Sequence, residues 1–348
     1  MPLRRLREHR GGDLESEKGV RPFRYERAAD PDGAIAMVAA SEERTFLAGG
    51  TNLVDLMKLG VATPTALIDI RSATSDRIDE LPDGSLRIGA AVRNSDLAAD
   101  RRIRQRYPVL AQAILSGASG QLRNQATVGG NLLQRTRCVY FQDLTTPCNK
   151  RDPASGCSAL AGFGRDAAIL GASEACVATH PSDMAVALAA LDAVVHTRAS
   201  GGERSIPLTE LHRLPGERPE RDTVLEHGEL ITHVDLPAWA FAGNSRYRKV
   251  RDRASYAFAL VSVAAALDAV EGMVRDVRLA LGGVAHKPWR AIQAEHALRG
   301  RPATKEAFRS AAEAELAAAR PLAENAFKAR LAVNMIAGIL VELVGEPE

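Results

Sequence analysis

Two glycine pairs constrain this chain more than any other feature of its 348 residues. Gly49-Gly50 follows a strand-like run at 45–48 and precedes a helical run at 53–59. Gly129-Gly130 sits inside NQATVGGNLL, residues 124–133. A strand, a glycine turn and a helix in succession bring several backbone N–H groups to one point, which suits a phosphate. The spacing is not G-x-G-x-x-G, so the fingerprint of a doubly wound dinucleotide fold is absent. One such pair is only a turn. Two of them, flanked by Thr51, Asn52, Thr127 and Asn131, suit a ligand with two phosphates gripped from both sides, such as an extended flavin dinucleotide.

The second constraint is the cysteines. All four lie between 138 and 176, as Cys138, Cys148, Cys157 and Cys176. Structural zinc usually takes ligands in close pairs, and no such pair exists here. Four thiolates from one long irregular loop match the ligand count of a [4Fe–4S] cluster, although not the ferredoxin spacing. Buried or free thiols are the plain alternative, with Cys176 in an apolar context the most core-like of the four. Cluster, zinc and free thiols all remain open on these residues alone. Arg135, Arg137, Lys150 and Arg151 nearby would offset the negative charge of a thiolate-ligated cluster, or simply form a solvated loop face.

Composition removes several classes. Forty-five basic against 43 acidic residues leave a net charge of +2 with the signs interspersed, which gives no reason to expect a nucleic-acid or membrane-surface binder. No apolar run approaches the roughly 20 residues of a membrane span, and no export signal is evident, since Arg4-Arg5 lacks the apolar segment that should follow it. Four cysteines are too few for a disulfide-framed secreted scaffold.

The chain reads as mixed α and β. Residues 1–20 are polar and non-periodic and are expected to form a flexible tail. Strands are expected at 23–26, 45–48, 67–70, 86–90, 168–170, 176–178, 193–197, 230–236, 245–250, 261–267 and 274–281, and helices at 32–40, 53–59, 94–100, 109–115 and 183–191. Residues 135–160 read as one long loop, and loops of that length are usually functional. Residues 305–343 read as alanine-rich helices, and 215–222, rich in Pro, Glu and Arg, as a connector. Lys249 lies in the strand-like RYRKV, where a cation could stabilise a reduced flavin, although most lysines in such strands are surface residues. His180 and His286 are single histidines without metal-spaced companions, and are read as ordinary structural residues.

Several separated segments then resemble one family in the right order: FLAGGTNLVDLMKLG (46–60), RIGAAVRNSDLA (87–98), QLRNQATVGGNLLQRTRC (121–138), HPSDMAVALAALDA (180–193) and RKVRDRASYAFALVSVAAAL (248–267). Together they resemble the FAD-binding medium subunit of the molybdenum hydroxylases, the xanthine dehydrogenase family, from about residue 22 to the C-terminus. The cysteine segment is similar to that of the periplasmic aldehyde oxidoreductase branch, which carries a [4Fe–4S] cluster besides FAD.

The resemblance implies an α+β chain: a two-subdomain FAD-binding domain of the vanillyl-alcohol oxidase-like type at 21–215, then a C-terminal α+β domain at 240–348. It places the first phosphate loop on Leu47, Ala48, Gly49, Gly50, Thr51, Asn52 and Leu53, and the second on Thr127, Gly130 and Asn131. It makes Asp183 and Lys249 flavin contacts, and Cys138, Cys148, Cys157 and Cys176 the cluster ligands, within a loop spanning about 135–178. The implied function is electron transfer: partner [2Fe–2S] clusters on a small subunit pass electrons from a large molybdenum-cofactor subunit, which oxidises an aldehyde, through FAD to an external acceptor. Such a complex is periplasmic if co-exported on a partner's signal, or cytoplasmic. Two further readings are a stand-alone FAD oxidoreductase and a non-enzymatic zinc or iron–sulfur scaffold.

Overall fold

The computed structural model describes residues 20–345, so the expected tail at 1–20 lies almost wholly outside the described residues. Three sheets organise the chain. The first is small and parallel, β1 (Arg24–Arg27), β2 (Arg44–Leu47) and β3 (Ala66–Asp69), in the order β1-β3-β2. β3 reads ALID and is buried on both faces, as the centre of a parallel sheet requires. The helix Pro31–Ala39 packs on it, started by Asp30, whose carboxylate accepts from Gly33 N at 2.8 Å.

The second sheet is antiparallel: β4 (Ile78–Glu80), β5 (Leu86–Gly89), β6 (Val194–Ala199), β7 (Gly202–Pro207) and β8 (Leu230–Leu236), ordered β4-β5-β8-β6-β7. Its inner face meets the helices Asn94–Ala99, Pro108–Ser116 and Asp183–Ala190 in the largest core, around Leu97, Leu110, Leu188 and Val234. β8 pairs with β5 and β6, so this lobe runs past residue 215 and takes in the connector and the strand after it.

The third sheet is β9 (Ser245–Val250), β10 (Val261–Val270), β11 (Met273–Gly282) and β12 (Trp289–Arg290) in the order β12-β11-β10-β9. The helices Ile292–Leu298, Lys305–Leu316 and Phe327–Val344 cover one face. The helix Asp183–Ala190, buried at all eight positions, lies against β10 and β11 and belongs to the core it shares with the second sheet, and so forms the seam between the lobes.

Residues 168–170 and 176–178, expected as strands, are not strands. Their backbone groups bond singly to scattered partners: Ala168 N to Val177 O at 2.7 Å, and Ile169 N to Val284 O at 2.8 Å. Hydrophobic runs bury there without a ladder. The long loop also carries two short helical turns, Val139–Gln142 and Ser158–Leu160. Among the described residues no helix is long and apolar enough to cross a membrane.

Candidate flavin and cysteine site

The glycine turns face each other. After β2 the chain turns at Gly50, whose φ of 72° is the left-handed region that glycine enters without strain. A Cβ on Gly49 would stand 2.0 Å from the main-chain oxygen of Gln125, so the first turn and the approach to the second touch backbone to backbone. The second turn is anchored to the chain beyond β5: Gly129 N donates to Ala90 O at 3.0 Å, and Val128 N to Val92 O at 2.9 Å. Thr127 caps the short helix Val128–Leu132 by accepting from Gly130 N at 3.2 Å. A Cβ on Gly130 would lie 3.6 Å from the Ala48 methyl, which closes the gap between the turns.

Around these turns run three adjoining cavities. One, of about 300 Å³, is walled by Phe46, Leu47, Gly49, Gly50, Thr127 and Gly130. The next, of about 310 Å³, shares Thr51, Asn52 and Gly130 with it and extends to Asp183 and Lys249. The third, of about 340 Å³, shares Arg137, Asp183 and Phe258 with the second and ends at Cys138. Asn52 Oδ1 accepts from Arg135 N at 2.8 Å, yet its Nδ2 is buried without a partner, as is Asn94 Oδ1. Both asparagines line the middle cavity. Buried polar atoms are normally satisfied, so these two are groups that a ligand would complete.

At the far end of the middle cavity, Lys249 Nζ lies 2.7 Å from Asp183 Oδ2 and also donates to Ser116 O at 3.2 Å. Tyr247 Oη donates to Asp183 Oδ1 at 2.6 Å. Burial, and then the carboxylate beside it, push the Tyr247 phenol well above its ordinary range. Sequence reasoning missed Tyr247; its signal was the period-2 pattern of β9, which puts Tyr247 and Lys249 on one face. Asn131 Oδ1 accepts from Ser182 Oγ at 2.5 Å, tying the second turn to the start of the Asp183 helix.

The four cysteines come together. All four line one small pocket with Tyr140, Phe141 and Ala178. Cys148 and Cys157 form an antiparallel bridge, and Cys176 bridges to Ser173. Burial raises the Cys138 thiol and pushes Cys176 up to about 12. No three of the sulfurs lie within 4.8 Å of one another. Four thiolates on one zinc ion would be about 4 Å apart, given Zn–S bonds of about 2.3 Å, so the arrangement is wider than a single ion needs.

The loop's cations divide sharply. Arg135 donates to Asp222 Oδ2 at 2.7 Å, and Lys150, itself buried, pairs with Oδ1 of the same carboxylate. Burial alone would raise Asp222, but those two cations hold it well below the usual carboxylate range. Arg151 donates to the carbonyls of Tyr140 and Phe141, both at 2.8 Å. Three of the four basic residues are thus spent on fixing the loop to residues 219–222 and to itself.

His180 lines the third cavity with its Nε2 buried and unpartnered, and His286 Nε2 is likewise buried without a hydrogen-bond partner. His212 donates Nε2–H to Leu132 O at 2.8 Å, and its ring meets His180 edge-on at 4.3 Å. His286 bonds through Nδ1 to Ala178 O at 2.9 Å. Elsewhere His196, His233 and Asp235 cluster on the five-stranded sheet, but Arg87 occupies both oxygens of Asp235 at 2.9 and 2.8 Å, so a cation is already in place.

Residues 21–239 match the family described as the FAD binding domain in molybdopterin dehydrogenase, and residues 237–343 the CO dehydrogenase flavoprotein C-terminal domain. The chain belongs to the FAD-binding medium subunits of the molybdenum hydroxylases, and is an oxidoreductase subunit. It is 52% identical over 324 residues, 93% of this chain and 98% of the relative, to the aldehyde oxidoreductase FAD-binding subunit PaoB of Escherichia coli K12. It is 26% identical to the glyceraldehyde dehydrogenase medium chain of Sulfolobus acidocaldarius, over 80% of this chain and 82% of that one. Carbon monoxide dehydrogenase from Hydrogenophaga pseudoflava superposes with a TM-score of 0.70 at 25% identity, covering 91% of this chain and 95% of that chain. Quinoline 2-oxidoreductase from Pseudomonas putida 86 shares the fold, with a TM-score of 0.71 at 23% identity, over 92% and 96% of the two chains. The expected α+β class, a FAD-binding domain followed by a C-terminal domain, stands. The opposed glycine turns, the unpartnered amides and the run of cavities fit FAD.

Proposed function

We propose that this chain is the electron-transfer subunit of a molybdenum-dependent aldehyde oxidoreductase, holding FAD between its glycine turns and a [4Fe–4S] cluster on Cys138, Cys148, Cys157 and Cys176. The observation that carries the reading is the continuity of the site: the cavities lead from Gly49-Gly50 past Lys249 to Cys138, and Cys138 belongs to the cysteine pocket. The 52% identity to an aldehyde oxidoreductase FAD-binding subunit supports the substrate class.

FAD would supply two-electron chemistry to an external acceptor and one-electron exchange with iron–sulfur centres. The residues of this chain hold and orient it. Main-chain N–H groups of the first turn, Leu47, Ala48, Gly49, Gly50, Thr51, Asn52 and Leu53, receive the two phosphates, and Thr127, Gly130 and Asn131, whose Gly130 and Asn131 N–H groups bond to Thr127, close on them from the other side without adding negative charge. Lys249 and Asp183, fixed by Tyr247 and Ser116, present a rigid polar edge to the ring. The four cysteines, set on two bridges and a helical turn, hold the cluster in a mostly apolar pocket. All four are consumed there, so the [2Fe–2S] clusters and the molybdenum cofactor reside on a small and a large partner subunit.

An anaerobic absorption spectrum of the purified chain, with iron and flavin released by acid, tests this. The expected result is one FAD and about four iron atoms per chain. Flavin without iron removes the cluster and leaves an ordinary medium subunit; neither removes the reading altogether.

A further inference from the structure

Of the four basic residues in the cysteine loop, only Arg137 is left over. Its Nε is buried without a hydrogen-bond partner, and among the described residues its guanidinium forms no ion pair. Its one specific contact is the face of Phe258, at 5.2 Å from the ring centroid. A buried guanidinium nitrogen without an acceptor is costly, so a protein keeps one only where something else completes it.

The position of Arg137 identifies what that is. It does not line the cysteine pocket, although Cys138 is its chain neighbour. It walls the middle and third cavities. Nor does it reach the first cavity, where Gly49 and Gly50 face Thr127. The Gly49-Gly50 turn is thus outside its cavities, although Thr51, Asn52, Gly130 and Asn131 share the middle one with it. Lys249, the other buried cation along this path, is already neutralised by Asp183. Of the arginines that line the middle cavity, Arg123 and Arg253 donate to main-chain carbonyls, whereas Arg137 keeps a buried nitrogen with no acceptor where the flavin ring would lie.

Resting on the FAD reading above, we propose that Arg137 is the electrostatic anchor of the isoalloxazine, pairing with the negative charge that its pyrimidine edge carries after two-electron reduction. Stacking on Phe258 holds the guanidinium plane, and the missing partner is supplied by the ligand. Such a cation favours reduced over oxidised flavin and raises the potential at which the subunit accepts electrons.

The test uses the purified full-length chain. FAD affinity of the apoprotein is measured by fluorescence, and the midpoint potential of bound flavin by anaerobic dye titration, for wild type, Arg137→Met and Arg137→Lys. The expected result for Arg137→Met is at least a tenfold loss of affinity for reduced FAD relative to oxidised FAD. For a two-electron couple that equals a fall of about 30 mV. Arg137→Lys, which keeps the charge and loses the fork, should recover part of that shift, while a merely structural role would move the melting temperature and leave the potential alone. An unchanged potential in Arg137→Met overturns the proposal, as does an equal loss of affinity for both redox states, which would put Arg137 on the phosphates. Wild-type chain that binds no FAD overturns the FAD reading itself, a distinct outcome.

Discussion

Lys249 and Asp183 face each other at 2.7 Å with both side chains buried, one on the edge of the C-terminal sheet and the other at the start of the helix that joins the lobes. Because both side chains are almost fully buried, they act as a unit: removing one partner strands the other. Asp183→Asn should destabilise the chain by about 3–5 kcal/mol in urea unfolding. The double variant Asp183→Asn with Lys249→Met should recover part of that loss, since no buried charge remains. If the single and double variants are equally unstable, the pair contributes packing rather than charge compensation.

The glycine turns give an asymmetric prediction. Gly49→Ala drives a methyl into the Gln125 carbonyl and must push the turns apart, so the purified variant should be colourless, with no FAD retained. Gly50→Ala meets only side chains, at 3.2 Å or more, but carries the left-handed backbone, which costs about 1–2 kcal/mol. That variant should keep flavin and melt earlier. Flavin absorbance after gel filtration separates the two.

Replacing one cysteine tests the cluster without touching the flavin turns. Cys148→Ser should reduce the iron content to near zero while the flavin bands persist, because Cys148 borders only the cysteine pocket among the cavities. Iron that stays at the wild-type level removes Cys148 from the ligand set.

Stability should fall on mild acidification. Burial holds His212 down to about 4 against the hydrogen bond from Nε2–H to Leu132 O, and its Nδ1 is buried with no acceptor for a second proton. Its folded pKa lies below the unfolded value of about 6.5, so the unfolded chain binds the extra proton first. The stabilisation from neutral His212 is complete above about pH 6.5 and is lost as pH falls towards 4, at about 1 kcal/mol per pH unit. His212→Gln, which can still donate to Leu132 O, should flatten that slope in denaturant titrations at pH 7, 6 and 5.

What could be read from the sequence was what neighbouring residues decide among themselves. The turn at Gly49-Gly50 and the alternation of β9 are local and the structure has both, whereas Gly129-Gly130, read as a turn, begin the short helix that Thr127 caps. β4 and β7 were missed because neither has a buried apolar face: β4 has no fully buried residue, and GERSIP buries only Ile206 and owes its strand to pairing with β6. The segments at 168–170 and 176–178 failed the other way, since apolar runs bury equally well against single, unladdered partners. Arg137 looked like its neighbours because their differences are set by Asp222, which only the fold brings beside Arg135 and Lys150.

The contact between the two glycine turns has a one-sided consequence for how this site can vary. The atom that Gly49 must avoid is the main-chain oxygen of Gln125, which every amino acid possesses. Position 49 is therefore held to glycine by position 125, while position 125 owes nothing in return and its side chain is free to drift. A covariation signal needs both partners to change, so pairwise sequence statistics would pass over the tightest approach between the two halves of the site. The halves are inherited together through a contact that leaves its mark at only one address.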